Sequence, residues 1–426
     1  MQEKYGILPY SSCKMNEGFL ITTFTGSWCY LTPEEFSMLQ RKNIKENLYK
    51  KLVDSGIVIT ENNASRIITE YRQMNRFLFQ GPSLHIVVPT LRCNHECVYC
   101  HAKPPDERYS DMDKKTAIKV LDFVFSSESP CIAIEFQGGE PLLNWDTVRF
   151  IIEEANRIND EYEKRDLELR LVTNLTVMDD EKLEFLLGVK NAYICTSLDG
   201  PETVHNKNRK YRGGGETYSD VVKWIEKIKE RCKNRINAIP TITRHSLPYW
   251  KEIIDEYVKH GFYTIHLRFL NKLGAAIGNW NEISYTPEEF LHFWKQSLEY
   301  ILELNKQGIK LKERTAEIML TKILERKDPG YTELMSPCGA GRTQLLYNYN
   351  GDIYTCDEGR MLGNDLFKLG NVNKNKYRDI VRSDNFIGIC HASILDNYCG
   401  DCVFKPYCGT CPVMNYVEQG TLVPKI

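Results

Sequence analysis

The sequence has no run of about 18 apolar residues, the length a membrane-crossing helix needs, so no such helix and no membrane partner are expected. Its opening residues, Met1 to Tyr10, carry neither a basic stretch nor an apolar core followed by a cleavage site, which argues against a secretory signal. Net charge is nearly absent: 55 Lys and Arg stand against 57 Asp and Glu, a formal balance of −2. Without a global basic field, nucleic acid is not an expected partner either. Internal repeats and low-complexity tracts are also missing. The 42% apolar and 26% charged residues are ordinary globular values. A chain of 426 residues is long enough for two or three domains with cores of their own, and it reads as cytoplasmic.

What the sequence holds in excess is cysteine, 15 in all. In a long chain without a signal, metal or redox chemistry is a better reading than disulfides. Three cysteines fall between Cys93 and Cys100 and seven between Cys338 and Cys411. The other five, Cys13, Cys29, Cys131, Cys195 and Cys232, are scattered and read as small buried hydrophobes.

The chain divides by pattern. Residues 1–80 read as a small winged-helix-like module: a strand-rich stretch from Phe19 to Leu31 turns at Gly26-Ser27, and Thr32-Pro33-Glu34-Glu35 then caps a helix. A second helix over Asn47 to Ser55 and a strand over Ile57 to Thr60 complete it. Residues 81–306 alternate short apolar runs with amphipathic segments. Strands are expected at Leu84–Pro89, Ile132–Gln137, Leu167–Thr173, Ala192–Ser197, Ile236–Thr243 and Thr264–Leu270. Six β/α units imply a parallel sheet and a partial (β/α)6 TIM-type barrel, with functional residues at the C-terminal strand ends. Thr286-Pro287-Glu288-Glu289 caps a long helix, and residues 307–336 form a basic, less regular bridge. Residues 337–426 are rich in cysteine, glycine and turn residues, and should draw much of their folding energy from metal ligation.

The first cysteine group, Cys93-Asn94-His95-Glu96-Cys97-Val98-Tyr99-Cys100, follows the first barrel strand. Three clustered thiolates can hold three corners of a cubane iron–sulfur cluster and leave one iron open, the feature that separates reactive from structural metal sites. Zinc on the three cysteines with His95 or His101 is the rival. Gln137-Gly138-Gly139-Glu140-Pro141 ends the second strand, where glycines permit close backbone approach and a carboxylate suits an ammonium group. Ser197-Leu198-Asp199-Gly200 ends the fourth strand, with His205 and Arg209 beyond; Arg209 among Lys207, Lys210 and Arg212 can also be read as a solvated loop. Asn174 and Arg268 stand at strand ends facing the expected cavity.

Taken in order, these segments resemble the radical S-adenosylmethionine (SAM) superfamily. The Cys-x3-Cys-x2-Cys motif with Tyr99 before its last cysteine, the Gly-Gly-Glu-Pro segment and the Ser-x-Asp-Gly segment carry the likeness. The resemblance implies a [4Fe–4S] cluster on Cys93, Cys97 and Cys100. It implies SAM held by Tyr99, Gly138, Gly139, Glu140, Ser197, Asp199 and Arg209: the Gly-Gly-Glu-Pro segment at its amino group, Ser197 at its ribose, Arg209 at its carboxylate. Cys338, Gly351-x4-Cys356 and Cys399-x2-Cys402-x5-Cys408-x2-Cys411 resemble the SPASM extension of peptide maturases, which carries one or two auxiliary [4Fe–4S] clusters. Family connectivity implies Cys338, Cys356 and Cys411 for one auxiliary cluster and Cys399, Cys402 and Cys408 for the other; Cys390, the nearby thiol left over, is assigned as the second cluster's fourth ligand. Two structural zinc sites are the alternative. Asp357, directly after Cys356, matches the general base of sulfatase maturases; a plain carboxylate paired with Arg360 is the other reading.

The implied activity is radical hydrogen abstraction from a side chain of a ribosomally made precursor peptide, ending in an intramolecular crosslink. Ile7-Leu8-Pro9-Tyr10, Leu31 to Phe36 and Cys356 to Leu362 resemble maturases of His-Xaa-Ser and cyclophane-forming systems. The implied partners are the precursor's leader, gripped by residues 1–80, and a low-potential donor such as flavodoxin or ferredoxin. Formation of formylglycine by an anaerobic sulfatase maturase, and a non-catalytic metal-binding peptide scaffold, are the alternatives.

Overall fold

The computed structural model describes residues 5–100, 102, 110–392, 394 and 399–423. Strands and helices follow in chain order. The N-terminal part holds β1 (Tyr5–Ile7), β2 (Tyr10–Met15), β3 (Gly18–Thr23), β4 (Trp28–Leu31), α1 (Pro33–Gln40), α2 (Glu46–Ser55), β5 (Val58–Thr60) and α3 (Ala64–Met74). Next come β6 (Leu84–Thr90), α4 (Lys114–Phe125), β7 (Cys131–Gly138), α5 (Trp145–Ile158), β8 (Asp166–Val172), α6 (Asp180–Gly188), β9 (Ala192–Ser197), α7 (Glu202–Asn208), α8 (Tyr218–Arg231), β10 (Ile236–Ile239) and α9 (Trp250–Lys259). The remainder comprises β11 (Thr264–Ile265), α10 (Ala275–Ile283), α11 (Pro287–Lys306), β12 (Lys312–Glu313), α12 (Arg314–Leu324), β13 (Gln344–Tyr347), β14 (Asp352–Tyr354), α13 (Asp357–Leu362), β15 (Lys368–Asn371), α14 (Tyr377–Ile380), α15 (Asp384–Ala392) and α16 (Pro412–Gln419).

Two compact units emerge. The first joins residues 1–80 to 318–343 and 387–426; the second joins 81–317 to 344–386. In the first unit β2, β3 and β4 form an antiparallel meander, and β1 pairs with β5. Ile21, Leu31, Leu39, Leu52 and Ile57 are buried between the meander and its helices. Trp28 Nε1 donates to Ile323 O at 3.1 Å, and the Tyr407 hydroxyl donates to Gly26 O at 2.8 Å, so the N-terminal module and the cysteine-rich chain share this unit.

The second unit is built on a sheet ordered β10-β9-β8-β7-β6-β13-β14-β15, parallel through β13 and antiparallel beyond. Its strands alternate. Ile132, Ile134 and Phe136 of β7 and Leu167, Leu169 and Leu171 of β8 are buried in one core with Val120, Val124, Ile151 and Ile152 of the covering helices. The opposite faces carry Glu135, Gln137, Glu168 and Arg170, a polar interior. That period of two is what one helix-covered face demands.

Four expectations are corrected. The sixth strand, expected over 264–270, is reduced to β11, paired with β12 outside the large sheet, plus a single bridge from Arg268 to Thr241. Its amides turn to side chains instead: Leu267 N donates to Glu313 Oε1 at 3.3 Å and Leu270 N to the Tyr285 hydroxyl at 2.7 Å. The parallel sheet gains β13, which belongs by sequence to the cysteine-rich extension; the fully buried Gln344-Leu345-Leu346-Tyr347 run pairs with β6. The bridge over 307–336 contains helix α12, anchored by buried Ile318 and Lys322. Of the five scattered cysteines only Cys29 is buried, while Cys13 and Cys131 lie exposed on strand faces.

Candidate active site

The loop after β6 carries the first three cysteines, and the scaffold laces it on both sides. Glu96 N donates to Lys210 O (2.8 Å), Val98 N to Asn208 O (2.9 Å) and Arg212 N to Asn94 O (2.8 Å), while Ala275 N donates to Cys100 O (2.7 Å). Buried inside, the Cys93 and Cys97 thiols are pushed up to about 12 by desolvation, and Cys100 is raised for the same reason. Such groups become thiolates only beside a cation that stabilises them, which is what a cluster iron supplies.

Gly138 and Gly139 bring the end of β7 against this loop. Gly138 has φ +121°, and a side chain there would put Cβ 2.4 Å from Thr90 O; at Gly139 it would lie 2.1 Å from Arg92 O. Only glycine fits. Gly139 N donates to Thr90 O (3.0 Å) and Glu140 N to Arg92 O (2.7 Å). The close approach made by the glycines is therefore to residues 90–92. Glu140 is likewise held by the protein's own donors. Buried, it accepts from Leu142 N (3.0 Å), Thr173 Oγ1 (2.7 Å) and Asn174 N (2.7 Å), and burial pushes it up to about 7. It braces the ends of β7 and β8 against each other.

Asn174 reaches the cysteine loop: its Nδ2 donates to Asn94 Oδ1 at 2.9 Å and lies 3.9 Å from Cys93 Sγ. Its Oδ1 accepts from Thr176 N (3.0 Å) and Thr176 Oγ1 (2.8 Å). Thr176 Oγ1 has then used its one proton, so it accepts from Asn94 Nδ2 (2.7 Å) and from His95 Nε2 (2.9 Å). His95 is thereby engaged through Nε2. Its buried Nδ1 has no hydrogen-bond partner among the described residues. His101 lies outside the described residues. Among the described residues, no three His, Cys, Asp or Glu side chains converge as ligands of a single metal ion.

The fourth strand end builds a second buried cluster. The Tyr99 hydroxyl donates to Asp199 Oδ2 at 2.6 Å, and Thr241 N donates to Asp199 Oδ1 at 3.2 Å. Arg209 is no solvated loop residue: its guanidinium packs on the Tyr99 ring (5.3 Å), and its Nε lies 3.3 Å from Asp199 Oδ2 without hydrogen-bond alignment. His205 accepts from Asp199 N at 3.4 Å and uses Nε2 on Thr217 Oγ1 (3.2 Å), which itself donates to Arg209 O (2.9 Å). Burial holds His205 down at about 4. Ser197 is half-buried at the end of β9, beside Ile239 of β10.

Asp357 opens α13, whose first turn is capped by Cys356: Gly359 N donates to Cys356 Sγ at 3.3 Å. The Asp357 carboxylate accepts from Arg360 Nη2 at 3.1 Å, and Arg268 Nη2 lies 3.5 Å from Glu358 Oε1. The charges of Arg360 and Asp357 reach the Cys100 thiol, so α13 stands beside the first cysteine loop. The Arg360 pairing read from sequence as the alternative for Asp357 is present; of the other polar residues gathered here, Asn94, Thr173, Thr176 and Glu358 were not singled out by sequence, and the Thr-Asn pair at the end of β8 was the available signal.

The second cysteine group has members in both compact units. Cys338, Cys390, Cys399, Cys402, Cys408 and Cys411 belong to the first unit and Cys356 to the second. Cys338 and Cys390 are buried and Cys408 is exposed. Cys390 Sγ donates weakly to Ala340 O (3.8 Å), and its carbonyl accepts from Arg342 Nη2 (2.6 Å). Arg342 Nε, like Arg209 Nε, is buried without a hydrogen-bond partner among the described residues. Unpaired buried donors near thiols, as Arg209 is near Cys97 and Arg342 near Cys390, are a chemistry that suits iron–sulfur clusters, whose sulfurs accept hydrogen bonds.

Residues 87–266 match the family model of the Radical SAM superfamily, and residues 338–412 match that of the SPASM iron–sulfur cluster-binding domain. The chain thus carries a radical SAM domain followed by a SPASM domain, and these imply SAM, one [4Fe–4S] cluster that works with it, and auxiliary clusters. Among relatives, the uncharacterized protein MJ0907 of Methanocaldococcus jannaschii is 28% identical, over 69% of this chain and 91% of its own. The cysteine-type anaerobic sulfatase-maturating enzyme of Clostridium perfringens is 25% identical, over 71% of this chain and 80% of its own. Two solved structures share the fold. Native anSMEcpe with bound AdoMet superposes with a TM-score of 0.67 at 20% identity, covering 76% of this chain and 88% of that one. Streptococcus suis SuiB bound to precursor peptide SuiA superposes with a TM-score of 0.60 at 14% identity, covering 98% of both. No helix among the described residues is long and apolar enough to cross a membrane.

Proposed function

We propose that this protein removes hydrogen from a side chain of a ribosomally made precursor peptide and closes an intramolecular crosslink in it. The observation that carries the reading is the compact unit uniting residues 1–80 with the cysteine-rich chain. A likeness that includes this module is the one to SuiB, whose structure holds a precursor peptide, whereas the likeness to anSMEcpe covers 76% of the chain. When bound, the cluster and SAM supply one-electron chemistry that takes a hydrogen atom from an unactivated carbon.

The chain's own residues then have these roles. Cys93, Cys97 and Cys100 hold the cluster. Gly138, Gly139 and Glu140 shape the wall beside it, while Ser197, Asp199, Tyr99 and Arg209 form the polar wall for SAM. Forming one bond between two hydrogen-bearing atoms removes two hydrogens, the first as an atom and the second as a proton plus an electron. Asp357 would take the proton, and the cysteines of residues 338–411 would hold the auxiliary clusters, which when bound supply an acceptor for the electron. Residues 1–80 grip the leader, and a low-potential flavodoxin or ferredoxin supplies the priming electron.

A second reading is favoured by the sulfatase-maturating relative and by Cys356-Asp357: oxidation of Cys or Ser to formylglycine. Anaerobic co-expression with short peptides encoded beside the gene, and with Cys- and Ser-containing sulfatase peptides, separates the two. A precursor lighter by two hydrogens, with a fragmentation-resistant ring, supports the crosslink. Formylglycine in the sulfatase peptide overturns it in favour of the second reading. Absence of iron from anaerobically prepared protein overturns both and leaves a scaffold. Asp357→Asn should retain 5′-deoxyadenosine formation and lose the crosslinked product.

A further inference from the structure

The first unit contains a cleft of about 350 Å³ that none of the chemistry above uses. Pro9, Tyr10 and Ser11 at the start of β2, Thr22 to Gly26 at the end of β3, and Tyr71 and Met74 of α3 form one side; Cys402, Lys405 and Pro406 form the other. Its rim is aromatic and solvent-facing: Phe24 is 60% exposed and Tyr71 39%, their rings edge to face at 5.8 Å. Large apolar groups left in water around a cleft mark a binding surface.

Its floor holds a second, independent sign. Thr22 is 2% exposed, and its hydroxyl has no hydrogen-bond partner among the described residues. The hydroxyls that follow it along the chain are engaged: Thr23 Oγ1 with Thr25 Oγ1 at 2.7 Å, and Thr25 Oγ1 with Ser27 Oγ at 3.3 Å. The lining is mixed, with Asn75, Ser336 and Asp401 beside the aromatic rim, and an orphaned buried hydroxyl in such a cleft is costly unless a ligand supplies its partner. The two sides are tied together by the Tyr407 hydroxyl on Gly26 O, and Ser336 Oγ on Lys405 O (2.7 Å) fixes the second side, so the cleft is preformed.

We propose that this cleft seats an extended, apolar segment of the substrate peptide, with a side chain buried between Phe24, Tyr71 and Pro406 and a main-chain group bonded to Thr22. The occupant is a peptide because β2 is the outer strand of its meander, paired on one side only among the described residues, and Tyr10 and Ser11 bring that edge into the cleft. The inference rests on the peptide-modifying reading and adds to it a recognition site that passes the peptide over the loop bearing Cys402.

The test selects a random-peptide display library against the anaerobically reconstituted full-length protein, then measures the enriched peptides, fluorescein-labelled, by anisotropy. Phe24→Ala/Tyr71→Ala should weaken binding about tenfold or more, as loss of two aromatic anchors does. Thr22→Val should weaken it several-fold and Thr22→Ser restore it, while Tyr162→Ala, a distant exposed aromatic, leaves it unchanged. Wild-type affinity in the double variant, or a library without binders, overturns the proposal. All variants should form equal 5′-deoxyadenosine with dithionite and SAM in the absence of peptide. Failure of that nucleoside assay in wild type strikes the enzymatic reading instead, so the two failures are distinguishable.

Discussion

The two cysteine-bearing regions solve the same problem in opposite ways. Around Cys93 to Cys100, amides and carbonyls of the loop are bonded to residues 208–212 and 275, far away in sequence, so the barrel scaffold shapes the loop. Around Cys399 to Cys411 the backbone bonds are local: Cys402 N to Cys399 O (3.0 Å), Lys405 N to Cys402 O (3.2 Å) and Cys408 N to Phe404 O (2.9 Å). Long-range ties there run through a few side chains, notably Tyr407 and Lys322, whose Nζ donates to Tyr407 O at 2.9 Å. A loop held by its scaffold keeps its shape without metal, and a loop held by local turns leans on ligation.

The sharpest way to break this contrast is to remove each set of thiols. Cys93/Cys97/Cys100→Ala should abolish 5′-deoxyadenosine formation and remove about four irons, one cluster's worth, while barely moving the melting temperature. Cys399/Cys402/Cys408→Ser should lower the melting temperature by many degrees as well as losing iron. Equal melting losses in calorimetry would erase the distinction.

Within the scaffolded region, the Tyr99, Asp199 and Arg209 cluster is the next largest effect. Asp199 is fully buried, and Asp199→Ala would strand the Arg209 charge, a loss of about 3–5 kcal/mol. Asp199→Leu combined with Arg209→Met should recover most of that stability in urea unfolding, yet no nucleoside activity, because the polar wall is gone. Full stability in the single variant would show that the pair is solvated.

Much of this was legible in the sequence, for physical reasons that differ by element. The four strands from β6 to β9 stood out as short apolar runs between amphipathic segments, and the two Thr-Pro-Glu-Glu helix starts because capping chemistry is local. The cysteine motifs and the glycine pair were legible because few residue types can do their work. The fate of Thr264–Leu270 was not, because its amides are claimed by Glu313 and Tyr285 side chains from later in the chain. Nor was β13, four buried residues whose partner, β6, lies some 260 positions earlier. The brace role of Glu140 was hidden for the same reason: its donors come from β8, and a sequence shows a carboxylate without showing who occupies it.

Acid should also tell the regions apart. His85 in β6 is fully buried between Pro82 O (3.2 Å) and the Tyr347 hydroxyl (3.0 Å), and desolvation holds it down at about 3. Its folded value lies below the unfolded one near 6.5, so between those limits the unfolded chain binds more protons. Stability is therefore full above about pH 6.5 and falls on acidification, by about 2 kcal/mol at pH 5 from this residue alone. His85→Gln, able to keep both hydrogen bonds, should flatten the slope between pH 6.5 and 4 in urea unfolding. An unchanged slope would place the acid sensitivity on other groups.

The smallest effect gives the finest test of whether the two compact units are energetically separate. The tetrapeptide Thr-Pro-Glu-Glu caps one helix in each unit with nearly the same geometry. Thr32 Oγ1 accepts from Glu35 N at 3.2 Å while Thr32 N donates to Glu35 Oε2 at 2.9 Å; for Thr286 and Glu289 the distances are 3.2 and 2.7 Å. Each Thr→Ala change removes the same local interaction and should cost about 1 kcal/mol. If the units unfold together, Thr32→Ala and Thr286→Ala shift a single calorimetric transition by the same amount. If they unfold separately, each substitution moves its own transition and leaves the other in place. Stripping the iron should then lower the transition that Thr32→Ala moves far more than the one Thr286→Ala moves, since most of the cysteines held by local turns lie in the first unit.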